Sequence, residues 1–167
     1  PSVRIWHQYD VHPRIGKGKH FGFPIFELDR FTTREKRSMY LCDHIITCSE
    51  WAADIVRSHV TTNVSVVPLG VDNNLFSVVE PSNNLKTIFL NVGKWEIRKG
   101  HDFLIKAFKE AFSPKDPVEL WLLPHNPFLT NDQTQWWLQQ AMHPKIRVFP
   151  RKQSHNGVYE LMKNADV

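Results

Sequence analysis

Residues Thr87 to Phe112 read TIFLNVGKWEIRKGHDFLIKAFKEAF. The opening run Ile88-Phe89-Leu90-Asn91-Val92 has the composition of a strand buried in a parallel sheet. Gly93 ends it, a polar loop follows with Lys94, Arg98 and Lys99, and Gly100 closes the loop. Beyond it, Phe103, Leu104, Ala107, Phe108, Ala111 and Phe112 fall at i, i+1, i+4, i+5, i+8 and i+9, the spacing of a single helical face. Burying each Phe or Leu of that face contributes about 1.5–3 kcal/mol, so the pattern predicts a sheet beneath the helix. Strand, glycine loop and helix make the first half of a βαβ unit. Ligands of open α/β sheets sit beyond the carboxyl ends of the strands, where a helix N-terminus offers unpaired N–H groups and a partial positive charge. With the loop cations added, the expected ligand is an anion, phosphate above all. The loop matches neither the P-loop nor the dinucleotide fingerprint, and spacing alone leaves a plain solvated loop open.

Upstream, the chain repeats the alternation of strand and helix. Val3–Trp6 reads as a strand with His7 at its carboxyl end. The aperiodic, glycine-bearing stretch 11–23 reads as a loop, either a surface connection or a lid on an acceptor side. Thr32 or Thr33 can cap a helix with Glu35 in its first turn, running to Leu41 or Cys42. His44–Cys48 predicts a strand, and Ser49 caps a helix with a stripe of Trp51, Ala52, Ile55 and Val56. Val64–Val67 is a further strand, and the Asn-, Ser- and Pro-rich residues 73–86 read as a linker.

Downstream, Val118–Leu123 and Ile146–Phe149 predict strands, with helices from Thr130 or Asn131 and from about Gly157. Trp136 and Trp137 are adjacent and cannot both point into one core, so one is expected to cover an edge. The sum is an α/β chain with parallel sheets, divided into residues 1–72, the linker 73–86, and residues 87–167.

The phrase NVGKWEIRKGHDFLIKAF resembles the GT-B glycosyltransferases of the family 4, or group 1, type. So does the stretch from Trp6 to Trp51, with its Ser-Glu-Trp-Ala, and Pro68-Leu-Gly-Val-Asp72 resembles the family's crossover phrase. The resemblance implies parts of two Rossmann-like domains: the end of an acceptor-side domain and the first part of a donor-binding domain. It implies a retaining transferase that moves a sugar from a nucleotide-diphosphate sugar to a hydroxyl of a glycan, lipid or other acceptor, using no metal and no further cofactor. Position by position, Gly93 and Lys94 take the place of the family's Gly-Arg or Gly-Lys pair, and Lys99 that of its Lys-Gly lysine, all at the donor diphosphate. Lys94 replaces the commoner Arg, giving a point charge in place of a bidentate fork. His7 resembles a position near the donor sugar. His125, after the second donor-side strand, and Arg151 and Lys152, after the third, border the expected nucleotide and sugar cleft. The family's paired-glutamate motif would follow Val167 and its first glycine-rich loop would precede Pro1. The chain therefore reads as an internal fragment, expected to be inactive or nearly so by itself.

Composition narrows the alternatives. The chain has 167 residues, 41% of them hydrophobic and 12% aromatic, enough for packed cores. A net charge of +4 suits phosphate-bearing ligands or peripheral contact with an anionic membrane, but is too small and scattered for nucleic acid. Cys42 and Cys48 match no disulfide framework, and with no signal peptide in view the expected compartment is the cytoplasm. No apolar run is long enough to span a membrane. A non-catalytic α/β module that binds a phosphorylated or glycan ligand is the alternative function.

Overall fold

The computed structural model describes residues 1–80 and 85–167. The chain is α/β and divides into two compact units, Pro1–Val71 and Asp72–Val167.

The first unit holds a four-stranded parallel sheet in sequential order: β1 (Ser2–His7), β2 (His20–Ile25), β3 (His44–Thr47) and β4 (Val64–Val66). Helix α1 (Thr33–Tyr40) follows β2, and α2 (Glu50–His59) links β3 to β4. Both begin as their sequences predict. Thr32 and Glu35 form a reciprocal capping box, and the Ser49 side chain accepts from the Ala52 amide. Val11, Met39, Ile45 and Val56 are fully buried at the centre.

Two readings of this unit need correction. The stretch 11–23, expected to be loop throughout, contains the start of β2. Gly22 and Pro24 masked that strand. Gly22 is there because a Cβ would lie 2.7 Å from Cys42 Sγ and 3.1 Å from Ile45 Cδ1. Pro24 is tolerated because β3 pairs only with Phe21 and Gly22, leaving no ladder bond on that side for Pro24 to lose. On α2, the buried residues are Ala52, Ala53 and Val56, while Trp51 is exposed.

The second unit holds three parallel strands in sequential order: β5 (Thr87–Val92), β6 (Val118–Leu123) and β7 (Ile146–Val148). Helix α3 (His101–Ala111) joins β5 to β6, α4 (Asn131–Gln140) joins β6 to β7, and α5 (His155–Met162) follows β7. Leu120, Leu122, Ile105, Phe108, Trp95 and Trp137 form the core between sheet and helices. Of the stretch read as a linker, Phe76 packs edge-on against Tyr159 of α5, and residues 81–84 lie outside the described residues.

After α5 the chain returns to the far side of β5. Thr87 donates to Pro117 O on the β6 side, and successive strand residues alternate sides. Ile88 and Leu90 therefore face away from β6. There Val167 donates to Ile88 O at 3.2 Å and its carbonyl accepts from Leu90 N at 2.8 Å, while the Asp166 carboxylate takes the Ile88 amide at 2.8 Å. The edge of β5 away from β6 is thus partly covered. More important, the order of connections reverses at β5, which makes its carboxyl end a topological switch point.

The face of α3 also differs from expectation. Leu104, Phe108 and Phe112 pack inward as the pattern predicts, but Phe103, Ala107 and Ala111 face solvent, and Ile105 and His101 take their place in the interior. The helix is turned so that a histidine occupies the first core position, and a count of apolar residues alone could not register that.

Candidate anion site at the carboxyl end of β5

Between β5 and α3 the chain makes a turn at Gly93, a buried Trp95, a single 3-10 turn over Ile97–Lys99, and Gly100 at φ 69°. That left-handed conformation is why a glycine stands at position 100. Gly100 is also the N-cap of α3 and carries no side chain to cap it, so the first-turn amides have neither an intrahelical acceptor nor a side-chain one.

The loop is fixed from several sides. Gly93 N donates to Leu123 O at 3.3 Å and Trp95 N to Pro124 O at 3.1 Å, which ties it to the end of β6. Asn126 Nδ2 donates to Trp95 O at 2.8 Å. The Trp95 indole lies parallel to Trp137 of α4, and His101 stands edge-on to both. His101 Nδ1 donates to Glu96 O at 3.4 Å. A well-packed aromatic floor thus holds a basic loop.

Three buried side-chain atoms of the described residues have no hydrogen-bond partner in the protein: Asn91 Oδ1, His101 Nε2 and Asp102 Oδ1. All belong to the end of β5 or the start of α3. A Cβ at Gly93 would lie 3.9 Å from both Asn91 Oδ1 and His101 Cε1, so two of these groups flank the glycine. Unpaired buried polar groups are rare in folded proteins, and each calls for a reason such as a bound water or ion, strain or a catalytic role. Burial depresses the His101 imidazole below its ordinary range, outweighing hydrogen bonds to the Glu96 and Gly93 carbonyls and the nearby Asp102 and Glu96 carboxylates. His101 is therefore a neutral imidazole near neutral pH.

Of the three loop cations, Arg98 pairs with Glu96 at 3.4 Å. Lys94 and Lys99, the two that the sequence singles out, are exposed and have no carboxylate partner among the described residues. Lys94 Nζ lies 5.4 Å from the Phe128 ring centroid, over the loop that follows β6. His125 is exposed on that same loop, one residue before Asn126. Arg151 is exposed after β7, and the half-buried Lys152 reaches to 5.8 Å from the Phe149 ring centroid. These residues share the carboxyl edge of the sheet with the Gly93 loop. In the first unit, His7 is exposed at the end of β1 and stacks on Tyr9 with centroids 5.5 Å apart.

Sequence reasoning overlooked Asn91, Trp95, His101 and Asn126. One signal was present: a tryptophan inside a loop bounded by two glycines is rarely left in solvent. Among the described residues no group of three or more His, Cys, Asp or Glu side chains is placed to hold a metal ion, and no helix is long and apolar enough to cross a membrane. Cys42 and Cys48 are free thiols, and burial with the adjacent Asp43 charge pushes Cys42 up to about 11, leaving it unreactive. No protein-family model and no curated protein matches the chain.

Proposed function

We propose that the second unit binds the diphosphate of a nucleotide-diphosphate sugar at the Gly93–Gly100 loop, and that the chain is part of a retaining, GT-B-type glycosyltransferase. The carrying observation is that Lys94 and Lys99 have no carboxylate partner among the described residues and stand at the carboxyl end of the strand where the sheet's connections reverse. The uncapped first turn of α3 lies beside them.

In this reading Lys99 and Lys94 neutralise the diphosphate as it departs, and the α3 amides donate to its oxygens. Stabilising charge as it develops on a leaving group is worth most when the donors are already held in place. The contacts from β6 and α4 hold the loop so. Gly93 lets the ligand approach the backbone. His125, Arg151 and Lys152, all in the second unit, are candidates for the nucleoside end. The acceptor is a hydroxyl of a glycan or lipid, and the cytoplasm is the compartment that supplies nucleotide sugars.

The test is a panel of nucleotide-diphosphate sugars offered to the full chain, read by saturation-transfer NMR and by 31P shifts. Saturable binding of one of them, weakened by Lys99→Ala, is expected. Binding of a phosphorylated or glycan ligand with no preference for nucleotide sugars would favour the non-catalytic module instead.

A further inference from the structure

A groove of about 590 Å³ opens beside the loop, within the second unit, between Trp95 and Glu96 on one side and the first two turns of α4 on the other. Asp132 and Trp136 are four residues apart on α4, so a carboxylate and an indole stand one turn apart on the same helical face. Gln133 and Trp137 repeat that relation on the adjoining face. Trp137 is buried, and Trp136 meets it edge-on with planes at 77°, which leaves Trp136 48% exposed at the groove.

The polar groups there are only partly used. Gln133 Oε1 accepts from the Thr130 amide and leaves the Gln133 NH2 free among the described residues. Asp132 has no partner among the described residues and sits in the first turn of α4, where the helix N-terminus offsets part of its charge. Glu96 is matched by Arg98. Asp132 is therefore the one unmatched charge among the described lining residues, and the groove is aromatic on one wall and edged by hydrogen-bond acceptors with one free amide donor.

Those features set what fits. An anion would meet Asp132 and Glu96. A cation would find Asp132 alone to pair with, because Glu96 is already matched by Arg98. An uncharged ring with an apolar C–H face and several hydroxyl groups meets these demands, covering Trp136 and donating to Asp132 while accepting from Gln133. Apolar walls with a few placed polar groups are the usual make-up of small-ligand sites, and the volume suits one or two sugar rings.

We infer that this groove is a carbohydrate-binding site, taking a neutral pyranose stacked on Trp136 and hydrogen-bonded to Asp132. It stands apart from the proposed diphosphate site, because neither Lys94 nor Lys99 lines it.

The test uses the full chain and saturation-transfer difference NMR with methyl α-D-glucopyranoside, methyl α-D-mannopyranoside, maltose and cellobiose at tens of millimolar. Transfer to the ring C–H protons of at least one is expected, saturable and lost in Trp136→Ala and in Asp132→Asn. Both positions are exposed, and unchanged thermal melts would show that the variants fold. Phe103→Ala, at an exposed aromatic outside the groove, should keep the signal. No saturable transfer from any of the four, or transfer that persists in Trp136→Ala, overturns the inference. So does Trp136-dependent binding of adenosine or tetramethylammonium in place of the sugars, which would make the groove a base slot or a cation cage. Loss of diphosphate binding in Lys99→Ala with sugar binding intact would leave this site standing by itself.

Discussion

The indole of Trp95, in the loop after β5, lies parallel to that of Trp137 on α4, with centroids 5.1 Å apart and planes at 6°. Both rings are buried, so this stack joins the candidate anion loop to the core of the second unit. Trp137→Ala should cost about 3–5 kcal/mol, as for other buried aromatic truncations, and should loosen the loop as well. Urea unfolding read by far-UV circular dichroism checks the first effect. Faster amide exchange at residues 93–100 checks the second.

His101 supplies the pH dependence. Its folded-state value is depressed by burial, so as pH falls the unfolded chain takes up the proton first. Stability of the second unit should hold above the ordinary imidazole value of about 6.5 and decline below it until the folded-state value is reached. His101→Asn should flatten that decline. Denaturant midpoints across this range, compared between the parent and the variant, isolate the contribution from the other histidines.

Glu119 of β6 is buried, and burial alone would raise its carboxyl. Bonds from Lys86 at 2.7 Å, Trp121 Nε1 at 3.0 Å and Arg147 at 2.8 Å outweigh it and hold the group below the usual carboxylate range. Its contribution is present above the unfolded carboxylate value and lost as pH falls through the folded one. Glu119→Gln should destabilise the second unit by about 1–3 kcal/mol at neutral pH, with less difference from the parent in strong acid. Thermal melts at the two pH values test this.

Gly22 of β2 has no room for a side chain. Gly22→Ala should cost about 1–3 kcal/mol in the first unit, because the new methyl group meets Cys42 Sγ at 2.7 Å. Cys42→Ala in the same chain should recover part of that loss. A double-mutant cycle by urea unfolding measures the coupling.

Much of the architecture was legible from the sequence for physical reasons that can be named. Thr32, Ser49 and Thr130 mark helix starts through their hydroxyls, and those signals are local. Val118–Leu123 was legible because a strand buried on both faces is nearly all apolar. β2 was hidden because its glycine answers to Cys42 and Ile45, which are distant in sequence. The rotation of α3 was hidden because His101 is buried as a polar residue, held by the Glu96 carbonyl and two indoles. Lys94 and Lys99 were visible as charge, but that they, unlike Arg98, lack a carboxylate partner among the described residues is a three-dimensional fact. The reversal at β5 needed the pairing of Val167 with Ile88 and Leu90, which no local pattern announces.

The most direct measurement is calorimetric titration of the full chain with inorganic pyrophosphate, repeated on Lys99→Ala, Lys94→Ala and Lys106→Ala, the last a control on the exposed side of α3. Lys99→Ala should weaken binding roughly 10- to 100-fold, the range for losing a hydrogen bond to a charged group, with a smaller loss for Lys94→Ala and none for the control. Equal affinity in the parent and Lys99→Ala would contradict the assignment of this loop as the diphosphate site.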